Sequence, residues 1–159
     1  MKTKIFFLLA AAVALFSFDC FAQQNKRQTA PQSLPNNQSN TASQAIKSSP
    51  AYAEILLRKT ELESLLEDYS VGYTEDYPKV KEARYELSLI ERDITKLLSL
   101  KESDAPKLTL ALGKLMVRRA QLETDLWALQ TKFGDQHPDV ARAKRRAAAF
   151  EKAIGEILQ

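Results

Sequence analysis

The chain has 159 residues, with 23 basic and 20 acidic side chains, one cysteine, one histidine and four glycines. So little glycine argues against a turn-rich all-β fold, and a net charge of +3 with both signs mixed along the chain lacks the basic excess of a dedicated nucleic-acid binder. One cysteine and one histidine leave no material for a disulfide framework or a Cys/His zinc cluster.

The first segment reads as an address. Lys2 and Lys4 precede an apolar run from Ile5 to Phe18, the layout of a secretory signal peptide. The run falls short of the ~20 apolar residues that span a bilayer. Cleavage is expected after Ala22, with Cys20 and Ala22 at the two small-residue positions, so that residues 1–22 are the signal and the exported chain carries no cysteine. A lipoprotein acylated at Cys20 is the rival, but Phe18 and Asp19 before it fit the bacterial lipoprotein motif badly. The expected location is periplasmic or secreted, with no transmembrane segment after cleavage.

Residues 23–49 are rich in Gln, Asn, Ser, Thr and Pro, and Leu34 and Ile46 are their only large aliphatic side chains. Such a stretch buries too little apolar area to offset its ordering entropy, and the expectation is a disordered linker. Asn37-Gln38-Ser39 also matches a glycosylation acceptor.

From Pro50 the pattern changes to helical periodicity. Val80, Ala83, Leu87, Ile90, Ile94 and Leu97 alternate spacings of three and four, which places them on one helix face. Val140, Ala143, Ala147, Phe150, Ile154 and Ile157 repeat that stripe at a constant offset of 60. Laying 54–98 over 114–158 gives ten identities in 45 positions, where average composition gives about three by chance. The aligned prolines Pro78 and Pro138 carry extra weight, because periodicity alone does not place them.

Each repeat (51–101 and 103–159) reads as helix, tight turn, helix. The first helix is expected from about Ala51 to Val71, its stripe being Tyr52, Ile55, Leu56, Leu62, Leu65, Leu66 and Tyr69. The turn comes next, at Gly72–Tyr77. Pro78 then suits the first helical position, where its missing N–H costs nothing, and that helix runs to about Leu100. Ser103 is expected to cap the next helix, with Asp104 and Pro106 in its first turn. Gly134–His137 form the second turn, and Pro138 opens the last helix. Short turns make consecutive helices antiparallel neighbours. The expected fold is all-α: two tandem αα-hairpins folded together as a four-helix bundle of coiled-coil type, with two open hairpins closing on a second subunit as the alternative. Residues 51–101 hold eight bases and eleven acids, and residues 102–159 ten bases and eight acids. Opposite net signs of that kind can draw the hairpins together or steer a head-to-tail homo-oligomer.

Three groups of residues are candidates for function. Tyr69, Tyr73, Tyr77, Phe133 and His137 crowd the hairpin turns around Gly72, Pro78, Gly134 and Pro138. Aromatic side chains of this kind serve an interface or plug the end of a core. Arg142, Lys144, Arg145 and Arg146 form the densest basic cluster. On a helix they spread around much of the circumference, the pattern of a solvated face. His137 aligns with Tyr77 of the first repeat, which favours a structural role over a metal site or a general base. No nucleophile with a triad partner, phosphate-binding loop or paired catalytic carboxylate stands in a recognisable frame, so no cofactor and no enzymatic activity is expected. The expected function is that of an adaptor or scaffold binding another cell-envelope protein, with a chaperone for unfolded exported proteins as the alternative.

The segments Tyr73-Thr-Glu-Asp-Tyr-Pro-Lys-Val80 and Phe133-Gly-Asp-Gln-His-Pro-Asp-Val140 resemble the "aromatic, turn, His-Pro-Asp-Val" segment of polysaccharide co-polymerases, the chain-length-determinant proteins. The resemblance covers roughly 54–98 and 114–158. It implies a bend between long antiparallel helices and, by analogy, an accessory role in polysaccharide assembly. The overall plan is also similar to small periplasmic helical chaperones of the Spy type, although Leu108-Thr109-Leu110-Ala111-Leu112 departs from their Leu-Thr-x-x-Gln signature at the glutamine.

Overall fold

The computed structural model describes residues 38–159. The expected signal segment 1–22, linker residues 23–37 and Asn37 of the glycosylation triplet lie outside the described residues. The described chain is helical: α1 (Gln38–Lys47), α2 (Pro50–Gly72), α3 (Pro78–Leu98), a 3-10 segment (Glu102–Lys107), α4 (Leu110–Gln130) and α5 (Pro138–Leu158). Among the described residues no strand is present, and no helix is long and apolar enough to cross a membrane.

The helix starts arise from local chemistry. The Ser49 hydroxyl accepts from the Tyr52 backbone N–H at 3.2 Å and caps α2, with Pro50 at its first position. The Thr109 hydroxyl does the same for α4 through Leu112 N–H at 3.3 Å. These two caps are also 60 residues apart, so the duplication reaches back past the 54–98/114–158 stretch to the helix starts. Pro78 and Pro138 open α3 and α5.

Two expectations at the boundaries are corrected. The linker reading of 23–49 fails at its C-terminal end, because Gln38–Lys47 is α1 and both Ile46 and Ser49 are buried. One well-placed isoleucine, seated in the main core, orders a segment whose composition alone argues against order. Ser103 caps nothing. Residues 102–107 form the 3-10 segment; Pro106 has no N–H to continue an α-helical ladder, and α4 starts after Thr109, whose hydroxyl caps it.

α2 packs against α3 and α4, α3 also meets α4, and α5 lies against α4 and the 3-10 segment. Helix α4 is therefore the hub, and α1 closes over the 3-10 segment and the adjoining ends of α2 and α3. The starts of α2 and α4 lie side by side: Ala51 N–H donates to Leu108 O at 3.2 Å. Gly113 sits so close that a Cβ there would lie 2.9 Å from Ala51 Cα and 2.8 Å from Glu54 Cβ. The two helices thus run in parallel, and their partners α3 and α5 run back. Both hairpin turns lie at one end of the bundle and the 3-10 segment at the other.

A continuous core links the hairpins through Ile55, Leu62, Ile90, Leu97, Leu112, Met116 and Ile154. The stripe expected on α2 is too wide. Leu56 is 42% exposed, and Leu65 is exposed as well. Along most of its length α2 has only α3 and α4 beside it, α1 touching its start, whereas α4 is flanked by α2, α3 and α5, and Met116, sixty residues after Leu56, is fully buried there.

Candidate functional site

The turn end is built twice from the same parts. In the first hairpin, Tyr73 N–H donates to Tyr69 O and Tyr77 N–H to Thr74 O. In the second, Phe133 N–H donates to Leu129 O and His137 N–H to Gly134 O. Every partner is 60 residues from its counterpart. The four-residue step across each turn brings two rings face to face. Tyr73 stacks on Tyr77 with centroids 4.2 Å apart, and Phe133 stacks on His137 at 4.3 Å. Tyr69 adds edge contacts to the first pair at 5.5 and 6.3 Å. The geometry thus brings together Tyr69, Tyr73 and Tyr77 as one cluster and Phe133 with His137 as a second. Tyr73 stays 51% exposed and Phe133 40%.

Ion pairs brace each turn in the same register. Glu75 pairs with Arg84 at 2.6 Å, and Asp135 with Lys144 at 2.9 Å. Bonds from Gln130 and Lys144 lower the Asp135 pKa, Lys81 lowers that of Asp76, and the Arg142 bond lowers that of Asp139. Gly72 ends α2 and Gly134 sits within the second turn. A side chain added at either glycine would meet nothing.

His137 caps α5. Its Nδ1 accepts from Asp139 N–H at 3.2 Å, which requires the imidazole to be unprotonated at that nitrogen. Tyr77 stands at the same place in the first hairpin and caps with backbone alone. Among the described residues no group of three His, Cys, Asp or Glu side chains could hold a metal.

The basic cluster divides. Arg142 is tied to Asp139, and Lys144 to Asp135. Arg145 and Arg146 make no ion pair among the described residues and stay exposed. Arg142 and Arg146 instead border a groove of about 580 Å³ between α3, α4 and α5, next to the turns. Leu122, Ala128, Leu129 and Ala143 contribute its apolar lining, and Lys79, Lys132, Glu82 and Asp125 add charge around it.

Sequence periodicity misses the polar joint between the hairpins. Arg119, buried on α4, donates to both carboxylate oxygens of Asp93 on α3 at 2.6 Å. It also reaches Glu123 at 2.7 Å and Glu151 of α5 at 3.2 Å. Burial raises the pKa of Asp93 against the opposing pull of Arg119, while Asp93 and Glu123 hold Arg119 charged against its own burial. The counterpart in the first hairpin is Lys59, which pairs with Glu63 and, at 3.7 Å, with Glu91. So the brace is duplicated, and Asp93 is the added member that ties one hairpin to the other. Glu86 of α3 is buried too and held by Arg58 of α2 at 2.7 and 3.0 Å. The signal is present in the 60-residue alignment, which superposes Lys59, Glu63 and Glu91 on Arg119, Glu123 and Glu151.

No family model, curated protein or solved structure matches the chain.

Proposed function

We propose that this is an exported, non-enzymatic helical-hairpin protein that binds another cell-envelope protein through the turn end of its bundle. The observation that carries the reading is the repeated ring pair. Both hairpins place two stacked aromatic side chains at the same end and leave one ring of each pair about half exposed. Rigid, partly exposed aromatic rings give contact area at little cost in side-chain entropy. The turn bonds and ion pairs fix them before any partner arrives. The segment expected to be a signal supplies the route to the envelope.

The groove beside the turns supports a second reading, a chaperone that holds unfolded exported chains against its apolar floor. One experiment separates the two: crosslinking of the tagged protein in cells, followed by mass spectrometry of what is captured. The adaptor reading expects one or two dominant envelope proteins, lost when Tyr73 and Phe133 are both changed to Ser. A broad set of unrelated exported proteins, rising under heat or acid stress, would favour the chaperone. Recovery of no reproducible partner would overturn both.

A further inference from the structure

The duplication leaves an unused copy of the seam that joins the hairpins. Three aromatic and charged contacts stand among those that seat α3 on α4. Tyr85 stacks on Trp127 at 5.0 Å, Arg92 reaches Glu123 at 3.4 Å, and Asp93 meets Arg119. Sixty residues later, α5 carries the counterpart of the α3 side, with Arg145, Lys152 and Ala153 in those places. Sixty residues earlier, α2 carries the counterpart of the α4 side, with Glu67, Glu63 and Lys59. Within one chain the outer positions of these two faces stay open, Lys59 alone reaching α3 through Glu91. Arg145, Lys152, Glu63 and Glu67 are all exposed, and Leu56 is left 42% exposed where its counterpart Met116 is fully buried.

From this complementarity we propose that a second copy of the chain docks head to tail, its α2 against α5 of the first, repeating between chains the seam that already joins the two hairpins. The replaced residues match in sign. Arg145 would face Glu67 where Tyr85 faces Trp127, and Lys152 would face Glu63 as Arg92 faces Glu123. Neither Glu67 nor Arg145 has an ion-pair partner among the described residues. The buried Asp93–Arg119 pair becomes Ala153 beside Lys59, which adds no like-charge contact. Because the two faces differ, the interface is heterologous, and each docking leaves one face free to add a further copy, so assembly passes beyond a dimer. The proposal concerns self-association and stands apart from the turn-end reading.

The test is sedimentation velocity of the full chain against protein concentration at low salt. The wild type is expected to grow steadily in size beyond a dimer, and added salt is expected to reverse that growth. R145E/K152E alters one face and E63K/E67K the other. Each variant alone is expected to associate at least about tenfold more weakly, since like charges then oppose across the seam. An equimolar mixture of the two is expected to recover association, because every contact again joins opposite signs. Circular dichroism of each variant checks that the helices persist. A wild type that stays monomeric overturns the proposal, as does one that stops at a closed dimer. Association that both variants retain, or that the mixture fails to restore, overturns it equally.

Discussion

Arg119 and Gly113 show how much of the joint between the hairpins rests on single side chains. Asp93 and Arg119 are both buried, and removing one partner from a buried pair leaves the other without compensation. Asp93→Asn is expected to cost roughly 2–3 kcal/mol in urea unfolding, below the full value for a broken buried pair because Glu123 and Glu151 still reach the guanidinium. Replacing both charges, as Asp93→Leu with Arg119→Met, is expected to change stability by no more than about 1 kcal/mol, since a well-packed apolar pair also escapes the desolvation penalty. If the double variant is as unstable as the single one, the pair is needed for more than charge balance. Gly113 makes the complementary case for packing. Gly113→Ala is expected to cost about 1–3 kcal/mol, because the new methyl group meets the Ala51 backbone and backbone atoms do not swing aside. Gly155→Ala, in open space on α5, is expected instead to raise stability by about 0.5–1 kcal/mol through helix propensity alone. Thermal unfolding of the two variants side by side checks the contrast.

At the scale of elements, the hairpin turns are the most legible part of the sequence. Pro78 and Pro138 mark helix starts by a local rule, and the 60-residue match tells where each turn falls. What periodicity cannot supply is the stacking, because it depends on the bend that brings ring i over ring i+4. Nor can it supply α1, whose helix is held by the burial of Ile46 in a core contributed by other elements. Ser103 misleads because a serine with an acid and a proline after it is a good cap in isolation; the cap at Thr109 is readable only by carrying the offset forward from Ser49. The turn carboxylates give these elements a pH dependence. Asp76, Asp135 and Asp139 have folded pKa values below their ordinary ones. Each therefore adds stability that is fully present above the usual carboxylate pKa of ~3.9 and is lost as pH falls through the folded value. Amide exchange at Tyr77 and His137 is expected to keep its protection relative to mid-helix amides near neutral pH and to lose it below about pH 4. Protection that holds unchanged into stronger acid would show that ring stacking alone secures the turns.

For the whole molecule, the all-α class and the tandem hairpins are legible from apolar spacing and the internal match, since both are one-dimensional signals. The role of α4 as hub is not, because a stripe of leucines reports one buried face and not how many neighbours cover a helix. The same gap explains why spacing counts Leu56 as core although α2 has one open flank. It also explains why the exposed rings can be assigned a surface but no named partner: recognition depends on a complementary face that lies in another molecule. Placing a photo-crosslinking amino acid in living cells at Tyr73, at Phe133 and, at the opposite end, at Glu102 tests the turn-end account most directly. The account expects the two turn positions to capture the same envelope protein and Glu102 to capture none. Capture from Glu102 alone, or different partners at each turn, would contradict it.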